Sequence, residues 1–129
     1  MPIRIVQLGT DRFKDEGLRI GTVRRPPRGV PKSDYARLNF YDVWLPDLAP
    51  TADVVGDFQK SDGGDAAWRK LEKRYRAEMK QPESARLLGL LAALSHTSNF
   101  SVGCYCDDER RCHRSILKDL LQGHGAKLA

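Results

Sequence analysis

The chain has 129 residues, of which 40% are hydrophobic and 30% are charged, and its formal net charge is +5. This length suits one domain, and the composition is that of a globular chain rather than a disordered one. No stretch approaches the roughly 20 apolar residues of a membrane span, and no signal peptide is visible. We therefore expect a single domain over residues 1–129, cytoplasmic and without membrane contact.

The first half of the chain predicts three strands joined by irregular segments. Residues 3–9 (IRIVQLG) predict a strand that closes at a glycine, and residues 18–24 (LRIGTVR) predict a second strand. Residues 24–32 (RRPPRGVPK) carry three prolines and a glycine, which exclude regular structure. Residues 40–46 predict either a third strand or a short extended segment, and residues 47–65 are expected to form a loop.

The second half predicts three helices and a last strand over residues 100–106. The helices are expected to begin at Asp65, which acts as an N-cap, at Pro82, and near Cys112. Strands that alternate with helices predict an α/β fold. We expect one three-layer domain with a small, at least partly parallel sheet flanked by helices. The helix positions predicted to be apolar and buried are Trp68, Leu71, Tyr75, Met79, Leu90, Leu91, Leu94, Ile116 and Leu120.

The basic residues are concentrated in two segments. Residues 19–37 hold six basic residues and one acid, and residues 69–86 hold seven basic residues and three acids. The first segment favours an anionic ligand, whereas the second is typical of the solvated face of a helix.

All three cysteines lie in VGCYCDDERRCHRSIL, residues 102–117, which predicts a strand, a short loop and a helix. Open α/β sheets bind ligands at such strand-to-helix connections. The helical repeat turns His113 towards the protein from the first turn, where backbone amides are unpaired and the helix dipole is positive. We expect three reduced thiols, with no disulfide between Cys104 and Cys106.

Three kinds of chemistry compete for this segment. Cys104, Cys106, Cys112 and His113 supply the four ligands of a zinc site, although C-x-C-x5-C-H departs from the usual spacings. Alternatively, Cys112 is a reactive thiol at a helix N-terminus. In that case Cys104 and Cys106 are small core residues.

The third possibility is an anion held without covalent chemistry. His113 and Arg114 would bind phosphate or carboxylate together with backbone amides. Its plain alternative is an ion pair between Arg114 and Asp107 or Asp108. The acids in the loop argue against a cysteine phosphatase, because they would repel phosphate.

Two motifs resemble the signatures of the domain of unknown function 488 family. They are EGLRIGTVRRPPRG, which is followed by a lysine, and CYCDDERRCHRSIL; between them, YRAEM resembles the family's helix end. The resemblance implies a small α/β domain with no established activity. Many members have Glu in place of Cys106, and related sequences that lack the cysteine of C-H-R keep the histidine, which favours His113 over Cys112. The family positions carried over are Arg24, Pro27, Arg28, Gly29, Cys104, Cys112, His113 and Arg114.

The predicted function is that of an enzyme or ligand-binding domain for an anionic substrate, which bears phosphate and is nucleotide-like or a nucleic acid. His113 would be the general acid or base, with Cys112 the second catalytic candidate. Arg24, Arg28 and Arg114 would hold the anion. No cofactor and no metal is predicted. The alternatives are a non-catalytic nucleic-acid-binding module, and a structural zinc or thiol-redox domain; the sequence leaves enzymatic activity and oligomeric state open.

Overall fold

The computed structural model describes residues 2–106 and 111–129, and it confirms a small α/β domain. Two 3-10 turns, Lys32–Asp34 and Pro46–Leu48, lie in the connections. No helix in the described part of the chain is long and apolar enough to cross a membrane. The strands are β1 (Ile3–Gln7), β2 (Leu18–Gly21), β3 (Val43–Trp44) and β4 (Phe100–Cys104), and the helices are α1 (Ala52–Gln59), α2 (Asp65–Glu78), α3 (Pro82–Leu94) and α4 (His113–Gly123).

The four strands form an all-parallel sheet in the order β1–β4–β2–β3. Gln7 of β1 pairs with Cys104 of β4, and Gly21 of β2 pairs with Gly103 of β4. Because the strands are parallel, all of them end at the same side of the sheet, which we call the carboxyl edge. The segments that follow β1, β2 and β4 therefore meet there.

Helices cover one face of the sheet. Ile3, Phe100 and Val102 of the strands pack with buried residues of all four helices in one apolar cluster. Each fully buried aliphatic side chain of this kind contributes roughly 1.5–3 kcal/mol. The predicted stripe of α2 is confirmed, because Leu71, Tyr75 and Met79 are buried and Trp68 packs against the cluster.

The predicted burial of α3 is only partly right. Leu91 is buried, but Leu90 is 54% exposed and Leu94 is 39% exposed. The helix turns Leu88, Leu91 and Ala92 towards the core, so leucines between these positions fall on the solvent side. In α4, Ile116 is buried and Leu120 packs against the same cluster from a partly buried position.

The prediction of a loop over residues 47–65 is wrong for its middle part, which forms α1. Val54 is buried, and the ring of Phe58 packs edge-to-face on Trp68 of α2 with centroids 5.8 Å apart. Val54 and Phe58 are four residues apart and so share one face of a helix. Val54, Val55 and Phe58 stand among one glycine and two acids in these eight residues, and this pattern was too weak for the sequence to indicate the short helix.

The other face of the sheet is covered by connections. Val6, Leu8 and Val23 pack there with Tyr41, and Tyr35 and Phe40 flank them. The ring of Tyr41 lies so close to Gly21 that any side chain at Gly21 would collide with it.

A buried ion pair fixes the start of β2. Arg19 is fully buried, and its guanidinium donates to both carboxylate oxygens of Glu16 at 2.7 and 2.9 Å. Burial alone would raise the pKa of Glu16, but the hydrogen bonds from Arg19, Ser101 and the Phe13 amide outweigh it and lower the pKa to about 2. Arg19, one of the six basic residues of segment 19–37, therefore serves the fold rather than a ligand.

Candidate functional site

The candidate site lies where β4 leads into α4 at the carboxyl edge. Cys112 is the N-cap residue of α4, with extended backbone angles (φ −124°, ψ 144°), and no side chain caps the helix. The amide of Ser115 donates to the carbonyl oxygen of Cys112 at 3.1 Å, whereas the amides of His113 and Arg114 have no carbonyl four residues earlier within the helix. The dipole of this 11-residue helix adds partial positive charge at the same end. The predicted strand–loop–helix arrangement is present.

His113 points inward, and a backbone carbonyl fixes its ring. Nε2 lies 2.6 Å from the carbonyl oxygen of Thr22, which follows β2, and the ring packs edge-to-face on Tyr75 with centroids 5.6 Å apart. Since a carbonyl only accepts, Nε2 carries the proton and Nδ1 carries the lone pair. Nδ1 lies 4.0 Å from Sγ of Cys112.

Burial lowers the pKa of His113 to about 4, against the smaller opposing effect of the hydrogen bond to the Thr22 carbonyl. The imidazole is therefore neutral at neutral pH. In this state His113 can accept a proton at Nδ1 but holds none there to donate, which fits a base better than an acid.

Arg114 is buried with its hydrogen bonds incomplete. It is 5% exposed, and Nη2 donates to the carbonyl oxygen of Cys106 at 2.8 Å. Its Nε is buried and has no hydrogen-bond partner among the described residues. The pairing of Arg114 with Asp107 or Asp108, the plain alternative, concerns acids that lie outside the described residues. A buried donor without a partner costs about 1–3 kcal/mol, more when charged, so an anion oxygen at Nε would be favourable.

The expectation of three reduced thiols is wrong in this structure, because a disulfide joins Cys104 to Cys112. Cys112, the N-cap residue of α4, therefore lies against Cys104 at the end of β4. No bond joins Cys104 to Cys106, as predicted. In the disulfide Cys112 has no thiolate, so this state does not present it as a nucleophile.

The proline-rich segment, residues 24–32, reaches the same edge of the sheet. The hydroxyl of Tyr105, just after β4, donates to the carbonyl oxygen of Arg25 at 2.9 Å. Together with the contact between His113 and Thr22, this bond joins the N-terminal motif to the C-terminal motif. The two motifs therefore meet through backbone carbonyls.

The three arginines predicted to hold an anion share no hydrogen-bond partner among the described residues. Arg24 donates to the carbonyl oxygens of Ala49 and Pro50 at 3.1 and 3.0 Å and lines a surface cavity of about 420 Å³. Arg28 is exposed, and its side chain makes no hydrogen bond or ion pair with the part of the chain that the structure describes. Of the three, only Arg114 lies at the start of α4.

Sequence reasoning missed three groups that hold the site together: the carbonyl of Thr22, the ring of Tyr75 and the hydroxyl of Tyr105. A backbone carbonyl leaves no signal in the residue types. Tyr75 was correctly predicted to be buried, but its contact with His113 joins elements that are far apart in the chain. Burial raises the pKa of Tyr105, so its hydroxyl stays protonated and donates.

Fold and site together define a small parallel α/β domain with a Cys-His-Arg motif at the carboxyl edge of its sheet. A family model described as the active DUF488-N3 subclade, DUF488-N3a, matches residues 3–125. The chain therefore belongs to the DUF488 family. Comparisons with curated proteins and with solved structures found no match.

Proposed function

We propose that this domain binds a phosphate-bearing anion at the start of α4. The observation that carries the proposal is Arg114, a buried guanidinium whose Nε has no partner among the described residues. Guanidinium groups suit phosphate because their donors form a planar fork. A phosphate oxygen at Nε would complete the hydrogen bonds of this side chain.

The backbone supports the same site. The amides of His113 and Arg114 at the start of α4 are donors without intrahelical partners, and helix N-termini of this kind bind phosphate. The position at the carboxyl edge of a parallel sheet is where open α/β folds bind ligands. Arg111 is not available for the ligand in this arrangement, because it is paired with Asp65 of α2.

A larger ligand would reach the proline-rich segment. Arg25 and Arg28 are exposed on this segment, which Tyr105 ties to the same edge. This favours a nucleotide-like ligand or a nucleic-acid end over inorganic phosphate alone.

For an enzymatic reaction at this site, we propose His113 as the proton acceptor. Its Nε2 is held by the carbonyl of Thr22, which leaves the lone pair on Nδ1. The general-acid role considered from the sequence would require a proton on Nδ1, and the neutral ring has none there.

The test is equilibrium binding of inorganic phosphate, a nucleoside monophosphate and a short single-stranded oligonucleotide to the wild-type chain and two variants. Arg114→Met removes the buried guanidinium, and Arg111→Met is the matched control from the same segment. We expect Arg114→Met to weaken binding about 10- to 100-fold, since a hydrogen bond to a charged group contributes about 1.5–3 kcal/mol. We expect Arg111→Met to bind within about threefold of wild type, as for a surface ion pair.

Two results would contradict the proposal. One is that the wild-type chain binds none of the three probes. The other is that Arg111→Met and Arg114→Met lose the same affinity for the oligonucleotide, with a steep dependence on salt. That pattern would indicate a diffuse basic surface, and hence the nucleic-acid-binding module considered from the sequence.

A further inference from the structure

The three cysteines form a cluster with the geometry of a metal site. The sulfur atoms of Cys104, Cys106 and Cys112 all lie within 4.8 Å of one another. Around a tetrahedral zinc ion with Zn–S bonds of about 2.3 Å, the sulfur atoms are about 3.8 Å apart. To hold one ion, the longest of these distances shortens by at most about 1 Å, and the sulfur atoms of Cys104 and Cys112, which are bonded to each other in the disulfide, move apart.

The backbone spacing of Cys104 and Cys112 also suits two cysteines that bind the same metal ion. The Cα atoms of Cys104 and Cys112 are 7.8 Å apart, whereas disulfide-bonded pairs are usually about 4.4–6.8 Å apart. Two side chains that share an ion span a longer path than two that share a bond, because the ion lies between their sulfur atoms. The start of α4 also favours a thiolate at Cys112, since helix N-termini stabilise negative charge.

We propose that the reduced chain binds one thiophilic divalent cation of the zinc type through the thiolates of Cys104, Cys106 and Cys112. Cys106 is exposed, so one side of the site faces the surface and solvent fills the fourth position. His113 lies outside the ligand set, because its Nδ1 does not belong to the group of atoms within 4.8 Å. The site is distinct from the anion site, which depends on Arg114.

The oxidised and metal-bound states exclude each other. A thiol or phosphine reductant supplies the two electrons that cleave the bond between Cys104 and Cys112, and each sulfur takes up one proton. Binding of the ion then releases the protons of all three thiols, so metal affinity falls as the pH is lowered.

The test is a titration of the full-length chain with Co²⁺ under anaerobic conditions, after reduction by a phosphine and removal of metal. We expect one equivalent to bind, with sulfur-to-cobalt charge-transfer absorption and visible bands of tetrahedral cobalt, and Zn²⁺ to displace it. The Cys106→Ser variant removes a ligand that is exposed, so the fold should be kept, which circular dichroism checks. We expect it to bind Co²⁺ at least tenfold more weakly and with less charge-transfer absorption.

Two controls complete the experiment. The His124→Asn variant, altered beyond the far end of α4, should bind like the wild type. The oxidised chain should not bind, because the disulfide removes two of the three ligands. The proposal is wrong if the reduced wild-type chain gives no charge-transfer absorption with one equivalent of Co²⁺, or if Cys106→Ser or the oxidised chain binds with unchanged affinity and spectrum.

Discussion

Two buried arginines in this domain differ in how completely their charge is paired. Arg19 on β2 makes five hydrogen bonds, two of them to the carboxylate of Glu16 and the others to backbone carbonyls. Arg114 on α4 donates to the carbonyl of Cys106, and its Nε has no partner among the described residues. Residue type and burial are nearly the same, but the surroundings are not.

The difference separates a structural charge from a candidate binding group. Burying a charge is tolerated when an opposite charge and hydrogen bonds satisfy it. Arg19 meets both conditions within the chain, so nothing further is needed to explain its burial. Among the described residues, Arg114 has no ion pair and only part of its hydrogen bonds. A bound anion would supply the opposite charge and the remaining hydrogen bonds.

The largest change in the free energy of unfolding is expected from breaking the ion pair between Arg19 and Glu16. Arg19→Met should lower the free energy of unfolding by about 3–5 kcal/mol, because it leaves the carboxylate of Glu16 buried without a cation. Urea unfolding at neutral pH measures the change. The double variant Arg19→Met with Glu16→Gln is the control and should recover part of the loss. A loss below about 1 kcal/mol would show that this pair does not hold β2 in place.

These two arginines also mark how far the sequence could predict the molecule. An α/β architecture with an at least partly parallel sheet was predictable, because strand and helix periodicities are local patterns. The predicted N-cap of α2 was wrong by one residue, since Gly64 holds that position and Asp65 is the first residue of the helix. The role of Arg19 was not, since its partners come from Thr10, Glu16 and Asn39 in connections of irregular structure. A basic residue in a charged segment looks the same in the sequence whether it faces solvent or a carboxylate.

The start of the helix that carries the candidate site was predicted at the right position in the chain, but the contacts around it were not. The spacing of Cys112, His113 and Arg114 placed them at the start of a helix, and periodicity turned His113 inward. The disulfide, however, depends on the path of the chain after β4, which local patterns do not fix. The pairing of Arg24 with the carbonyls of Ala49 and Pro50 likewise depends on tertiary packing, which the resemblance to a family could not give.

The pH dependence of stability tests the buried ion pair between Arg19 and Glu16. The pKa of Glu16 is about 2 in the folded chain against an ordinary 4.5, so the folded state binds fewer protons between these values. The stability that Glu16 contributes is therefore complete above pH 4.5 and is lost as the pH falls towards 2, by up to about 3 kcal/mol. Urea unfolding at several pH values should show this loss in the wild type and a flatter profile in Glu16→Gln. Parallel profiles would contradict the low pKa.

The smallest change in the free energy of unfolding is expected from replacing Arg114, whose hydrogen bonds with the described residues are incomplete. Arg114→Met removes one hydrogen bond to the carbonyl of Cys106, which costs about 1 kcal/mol, but it also removes a buried charge that the described residues do not fully pair. Since an apolar side chain often replaces a buried charge without loss, we expect the free energy of unfolding to change by less than about 1 kcal/mol.

Added phosphate should then distinguish the wild type from Arg114→Met. A ligand at 100 times its Kd stabilises the folded state by about 2.7 kcal/mol, and this gain should appear in the wild type and disappear in Arg114→Met. A loss of stability as large as that of Arg19→Met would mean that Arg114 is satisfied within the fold, which removes the reason to place an anion beside it.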